Sequence, residues 1–123
     1  GNFTRGFVSM KKRTDADYIN DIIYAINCTD RFIAGMSYED FIVDEKTYHA
    51  VVRMFEIIGE ACNKISDEVK NSNSEIPWRD IINMRNKIIH GYFDVNLPIV
   101  WDTAKTDLPY LKTVITNLKK DKQ

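Results

Sequence analysis

Apolar side chains recur at spacings of three and four residues through most of this chain, and this period limits the folds open to it. Such spacing lines up one face of an α-helix, whereas a half-buried β-strand alternates at every second residue. β-Branched alternation is scarce, and only three prolines and five glycines interrupt the 123 residues. Because 44% of the residues are hydrophobic, a core can form. The sequence predicts one all-α domain.

Capping residues set most of the predicted helix boundaries. Helices are expected at about 15–34, 38–43, 45–70, 77–90 and 97–120. Thr14, Ser37 and Asp44 are the predicted N-caps, because their side-chain oxygens can accept free N–H groups of a first turn. Gly35 is expected to end the first helix. The expected architecture is an up-and-down bundle of four main helices plus a short helix.

Other positions give further expectations about the bundle. Gly59 lies inside the third predicted helix and permits close approach of a neighbouring helix. A polar loop is expected at 70–74, and Gly91 is a natural residue to follow the fourth helix. Pro109 should kink or divide the last helix, with Asp107 as the cap of its second half.

Charge and composition exclude some classes of function. The formal net charge is −1, from 17 basic and 18 acidic side chains, which argues against a protein that coats nucleic acid but not against an enzyme that grips a few phosphates. Cys28 and Cys62 are interpreted as reduced cytosolic thiols, with a disulfide or a metal pair as the alternative. With His49 and His90 as the only histidines, a zinc site is not expected, and no cofactor is predicted.

The ends of the chain and its apolar runs predict its location. No apolar run approaches the roughly 20 residues of a membrane span, and no secretory signal is evident, so a cytoplasmic protein is expected. Residues 1–9 precede Met10 and are interpreted as a vector-derived remnant, disordered or extended. Residues 10–123 are predicted to form the single domain.

The stretch 85–92, RNKIIHGY, carries most of the chemistry. Counted at 100° per residue, Arg85 falls within the apolar arc of its helix, where an unpaired charge is costly. Asn86 and His90 share one edge, but about 140° separates Arg85 from His90, so one helix presents the two poorly to a small ligand. Either the helix unwinds at Gly91, or a second copy of the chain supplies the complement across a two-fold axis; we favour the second.

These side chains suit cleavage of an RNA phosphodiester by its own 2′-hydroxyl without a metal. The planar fork of Arg85 fits phosphate oxygens and can stabilise the growing charge. Histidine changes charge near neutral pH, so His90 can take or give the proton. Asn86 can orient a hydroxyl or a phosphate oxygen, and Tyr92 can contact substrate or be modified.

Structural interpretations of the same residues remain open. His90 can cap a helix C-terminus through the helix dipole. Arg85 can form an ion pair with Glu56 or Glu60, which stand four residues apart on the preceding long helix. Tyr92 can be ordinary core packing.

The wider pattern resembles a known family. Residues 55–61 (FEIIGEA), 76–78 (IPW), 84–92 (MRNKIIHGY) and 100–101 (VW) resemble the HepT-like toxins. These are proteins of the HEPN superfamily that are paired with a small MNT nucleotidyltransferase antitoxin. The likeness covers nearly all of residues 10–120.

The resemblance implies a HEPN-type helical bundle that dimerises through the motif helix, with both motifs facing one cleft, and a metal-independent endoribonuclease. By position, Arg85 and His90 match the catalytic pair, and Asn86 matches the polar residue after the arginine. Tyr92 matches the tyrosine that the antitoxin neutralises by adding AMP groups from ATP. Glu60 matches a family acidic residue, and we interpret it as orienting Arg85.

Three hypotheses follow for the function. The leading one is a homodimeric RNA-cleaving toxin with the MNT antitoxin as its partner. The alternative is a non-catalytic HEPN binding or regulatory subunit of a nucleotidyltransferase complex. The third is a plain helical dimer in which Arg85 has only a structural role.

Overall fold

The computed structural model describes residue 3, residues 12–91 and residues 94–122, and most of these residues are helical. The helices are α1 (Asp15–Phe32), α2 (Tyr38–Val43), α3 (Glu45–Lys64), α4 (Asp67–Ser72), α5 (Trp78–Ile82), α6 (Met84–Ile88), α7 (Leu97–Asp102) and α8 (Leu108–Lys122), with a π-helical turn at Thr103–Asp107 between the last two. The all-α prediction is confirmed. The prediction for residues 1–9 lies, apart from residue 3, outside the described residues.

Local capping explains where the first three helices begin. Thr14 and Ser37 each cap a helix through a side-chain oxygen and complete a reciprocal capping box. Asp44 accepts the N–H of Thr47, and the hydroxyl and backbone N–H of Thr47 lower the pKa of the Asp44 carboxyl. Gly35 has a φ of +76°, a left-handed conformation that favours glycine and ends the helical path after α1. All four predictions are confirmed.

The core lies where α1 packs against both α3 and α8. Burial of each large apolar side chain there contributes about 1.5–3 kcal/mol relative to exposure. The largest fully buried apolar side chains are Ile19, Ile22, Ile26, Phe41, Val51, Phe55, Ile58, Ile88, Val100, Leu108 and Ile115. No helix in the described part of the chain combines the length and the apolar character that a membrane crossing requires.

The third predicted helix is shorter than expected. It ends at Lys64, and Ser66 caps a separate helix, α4, that reaches Ser72. The prediction of one helix to about residue 70, followed by a loop at 70–74, was therefore wrong. The reason is a tertiary contact, because the Asp15 carboxylate accepts both the backbone N–H and the hydroxyl of Ser66, at 2.8 and 2.7 Å.

The last helical segment changes its winding rather than dividing. The N–H of Leu108 donates to the carbonyl of Thr103, five residues earlier, which defines the π turn. Pro109 has no N–H to offer the carbonyl four residues before it, so the regular pattern fails just ahead of the proline. Asp107 is the last residue of the π turn, directly before α8. Among the described residues its side chain accepts no hydrogen bond from the first turn of α8, so the predicted cap is not formed.

Candidate active site

The predicted motif helix is two short helices with a break at Asn83. Helix α5 ends at Ile82 and α6 begins at Met84, so the prediction of a continuous helix over 77–90 was wrong. The predicted burial of Arg85 was also wrong, because a count of 100° per residue does not carry across the break. Met84 and Ile88 face the core instead, and the Arg85 side chain is 56% exposed.

A close contact between α3 and α5 positions this break. A Cβ atom placed on Gly59 stands 3.3 Å from the carbonyl oxygen of Ile82 and 3.4 Å from that of Ile81. Glycine leaves this space empty and lets the two backbones approach. The expectation that Gly59 permits a close helix approach is confirmed.

A residue of α3, Glu56, holds the Arg85 guanidinium group at its Nε atom. Its Nε–H donates to Oε2 of Glu56 at 2.9 Å. The Glu56 side chain is 28% exposed, half as much as that of its partner. Within the described residues, no hydrogen bond or ion pair engages the two Nη atoms of Arg85. An exposed ion pair of this kind contributes about 0–1 kcal/mol to the free energy of folding. Stability alone therefore explains little of why Arg85 and Glu56 are paired.

The pair lies in a cleft of about 370 Å³ between α3 and the α5–α6 segment. The lining residues are Phe55, Glu56, Gly59, Glu60, Asn63, Ile82 and Arg85. Glu60 lines the cleft, but the hydrogen bond to Arg85 comes from Glu56. The interpretation of Glu60 as the residue that orients Arg85 therefore has no contact behind it, whereas the alternative ion pair with Glu56 is present.

Helix α6 stops before the predicted histidine. Ile89 adopts an extended conformation and forms an antiparallel bridge with Val95. The backbone N–H of His90 donates to the carbonyl of Asp94 at 2.9 Å. The chain therefore leaves the helix after Ile88, three residues ahead of Gly91, and His90 caps no helix end. Its side chain is exposed.

The predicted site residues are only partly brought together. Asn86 is exposed on α6 beside Arg85 in sequence. In the part of the chain described, no hydrogen bond joins Arg85, Asn86 and His90 to one another, so one copy presents them without a shared contact. The prediction for Tyr92 lies outside the described residues.

A polar row on α3 was only partly recognised from the sequence. Glu56, Glu60 and Asn63 are spaced four and three residues apart, so they share one helical face, and all three line the cleft. The apolar stripe of the same helix dominates the sequence pattern and obscures Asn63. The spacing of polar residues was the signal that could have identified it.

The cleft offers anion chemistry more directly than metal chemistry. A guanidinium with two unengaged nitrogens can take two phosphate oxygens in its plane. Among residues 12–91 and 94–122, no group of three or more His, Cys, Asp or Glu side chains is arranged to hold a metal ion.

A second groove, of about 430 Å³, is lined by other faces of α5 and α6 and by α7, the π turn and α8.

Comparison with known proteins assigns the chain to a family. The profile of the family described as "Ribonuclease HepT-like" matches residues 22–118, which is most of the chain and includes the whole cleft. The chain belongs to this HepT-like family. The match confirms the resemblance on which the site residues were chosen.

Individual relatives of this HepT-like chain span nearly its full length. A protein of Thermococcus cleftensis named "Probable ribonuclease HepT" is 44% identical over 109 residues, covering 89% of this chain and 99% of that protein. Two others are each named "Putative RNase". The one from Caldanaerobacter subterraneus is 38% identical, covering 89% of this chain and 99% of the relative. The one from Methanocaldococcus jannaschii is 37% identical, covering 91% and 93%. No solved structure matches the chain.

Proposed function

We propose that this HepT-like chain is a metal-independent endoribonuclease toxin that cuts RNA in a cleft shared by two copies of the chain. The observation that carries the proposal is the Arg85 guanidinium, which lines an open cleft and is held at Nε by Glu56. Among the described residues, no hydrogen bond engages its other two nitrogens. The family and the RNase names of the relatives support the same chemistry. RNA is the expected substrate.

The proposed reaction uses the RNA's own 2′-hydroxyl as nucleophile. His90 acts in proton transfer, and the 2′-oxygen forms a bond to phosphorus as its proton leaves. The bond from phosphorus to the 5′-oxygen breaks, and that oxygen gains a proton, so the products are a 2′,3′-cyclic phosphate and a 5′-hydroxyl. Arg85 stabilises the charge that grows on the phosphate oxygens, and Asn86 orients the phosphate or the hydroxyl.

A homodimer supplies what one copy lacks. Because the helix ends at Ile88, His90 lies on an extended segment, and no hydrogen bond among the described residues connects it to Arg85. A two-fold axis beside α6 places two arginines and two histidines around one cleft. The approximate charge balance of the chain fits a focused site of this kind.

Control by a partner completes the proposal. In this proposal an MNT nucleotidyltransferase antitoxin adds AMP from ATP to Tyr92, and the resemblance of residues 84–92 to the family motif supports this choice of residue. Each AMP carries a negative phosphate and considerable bulk, so on a residue two positions after His90 in the sequence it repels and obstructs incoming RNA.

The test compares the parent chain with His90→Ala and a matched control, His49→Ala. His49 is the other histidine and lies 3.6 Å from Glu45 on α3, away from the cleft. We expect growth arrest and RNA degradation with the parent and with His49→Ala, and neither with His90→Ala. Equal behaviour of all three chains contradicts the nuclease and favours the non-catalytic binding subunit.

A further inference from the structure

The Arg85 guanidinium is attached to the protein at Nε alone among the described residues, and this limits how it can be oriented for catalysis. Arginine has a long, flexible stem, so an exposed guanidinium samples many orientations unless a second group holds it. In this chain the hydrogen bond from Nε to Glu56 anchors the group on its Nε side. The end bearing the two Nη nitrogens is then the edge that remains for a ligand, and that edge matches two phosphate oxygens.

We propose that Glu56 is the positioning residue for Arg85 in RNA cleavage. This inference rests on the proposed nuclease function and adds to it a residue outside the arginine–histidine motif. Glu56 acts through Arg85 and need not touch the RNA.

The negative charge of Glu56 opposes RNA binding, so substitution of Glu56 should change KM and kcat in a characteristic way. Its carboxylate lies in the same cleft as that of Glu60, so both repel the RNA backbone. Removal of either charge therefore favours RNA binding and lowers KM. Only the loss of Glu56 also releases the guanidinium, so only that change lowers kcat.

The matched control for Glu56 is Glu60, four residues later on the same face of α3. It lines the same cleft and carries the same charge, but within the described residues it has no hydrogen bond or ion pair with Arg85. Comparison of the two substitutions separates the removal of a charge from the release of the guanidinium.

The closing experiment measures kcat and KM for a short RNA oligonucleotide with the full chain and its variants Glu56→Ala, Glu56→Gln, Glu60→Ala and Arg85→Ala. We expect Glu56→Ala to lower kcat about 10-fold to 100-fold, the range for a displaced catalytic group, while KM falls. Glu56→Gln keeps an oxygen that accepts from Nε, so most of kcat returns while KM stays low. Glu60→Ala lowers KM and leaves kcat within about 3-fold of the parent.

Chemical rescue gives a second measurement that a purely structural ion pair does not affect. Guanidinium ion added to Arg85→Ala should bind at the vacated position, held by Glu56, and restore part of the cleavage. The same ion should fail to rescue the double variant Arg85→Ala/Glu56→Ala. Thermal unfolding of each variant checks that the chains compared are folded.

The outcomes distinguish this inference from the function on which it rests. If the parent cuts RNA and Arg85→Ala does not, an unchanged kcat in Glu56→Ala overturns the positioning role alone. The role is also overturned if Glu56→Gln is as slow as Glu56→Ala. If the parent does not cut, the nuclease proposal and the role of Glu56 are both rejected. If the parent cuts and Arg85→Ala cuts equally well, the nuclease activity stands, but the catalytic role of Arg85 and the positioning role of Glu56 are rejected.

Discussion

The carbonyl oxygen of Ile82 lies 3.3 Å from the point at which a Cβ atom on Gly59 would stand. This contact joins the middle of α3 to the last residue of α5. Glu56 lies three residues before Gly59, and Arg85 lies three residues after Ile82. The closeness of the two backbones therefore sets the distance over which Arg85 reaches Glu56.

A larger side chain at Gly59 should separate the two segments. Gly59→Leu has no space beyond its Cβ, because backbone atoms of α5 occupy it, and backbone atoms cannot rotate away. We expect the free energy of unfolding to fall by about 1–3 kcal/mol, the usual cost of overpacking. The rate of RNA cleavage should fall even under conditions in which Gly59→Leu is fully folded, because the shift moves Arg85 relative to Glu56. Urea unfolding and RNA cleavage measure the two effects.

The control for this prediction is Gly91→Ala. Among the described residues, a Cβ on Gly91 meets only the Cβ of Asp94, at 3.9 Å, which is an ordinary contact. Its φ is not positive, so alanine introduces no backbone strain there. The unfolding free energy of Gly91→Ala should stay within about 0.5 kcal/mol of the parent. Equal destabilisation by both changes would contradict the role given to Gly59.

Arg85→Lys should lose activity although it keeps the charge. Lysine has no Nε–H with which to bond Glu56 while it presents two further nitrogens to phosphate. We expect its cleavage rate to match that of Arg85→Ala. The unfolding free energy should change by less than about 1 kcal/mol, because the Arg85–Glu56 pair is exposed. A lysine variant with near-parental cleavage would show that charge, and not the held fork, is what the site needs.

The thiol of Cys62 predicts a pH dependence of folding. Burial raises the pKa of Cys62 from 9.0 to about 12, although nearby Lys70 acts in the opposite direction. The folded chain therefore keeps the proton through a range in which the unfolded chain releases it. Stability from this group is complete below pH 9.0 and falls as the pH rises towards 12.

The measurement is the unfolding free energy of the parent and of Cys62→Ala at about pH 8 and about pH 10. Over this interval the parent should lose about 1.4 kcal/mol more than the variant, the value of one pH unit for one proton. All other ionisable groups are present in both chains, so their effects cancel in the difference. Parallel pH profiles would show that the thiol is not held protonated.

The sequence was a good guide where structure depends on neighbours in the chain. Thr14 and Ser37 cap their helices through residues three positions away, and Gly35 ends α1 through its own backbone. Residue type alone also suggested a phosphate ligand for Arg85, which stays a prediction. Such features require no knowledge of what the rest of the chain does.

The errors arose where distant residues decide the backbone. The break at Asn83 follows from contact between α5 and α3, and it turned Arg85 from the expected buried face to the cleft. The choice of Glu56 over Glu60 as its partner depends on the same packing. Helical periodicity predicts neither the break at Asn83 nor the pairing of Arg85 with Glu56, because it describes one helix at a time.

The contact between Asp15 and Ser66 holds the turn between α3 and α4. The two residues are 51 positions apart, and the carboxylate accepts two hydrogen bonds from Ser66, one from the backbone and one from the hydroxyl. Asp15→Ala should lower the unfolding free energy by about 1–3 kcal/mol, because it leaves a part-buried N–H without a partner. The control is Asp21→Ala on the same helix, whose exposed ion pair with Arg13 is worth at most about 1 kcal/mol. If urea unfolding gives equal losses for the two, Asp15 does not hold the turn between α3 and α4.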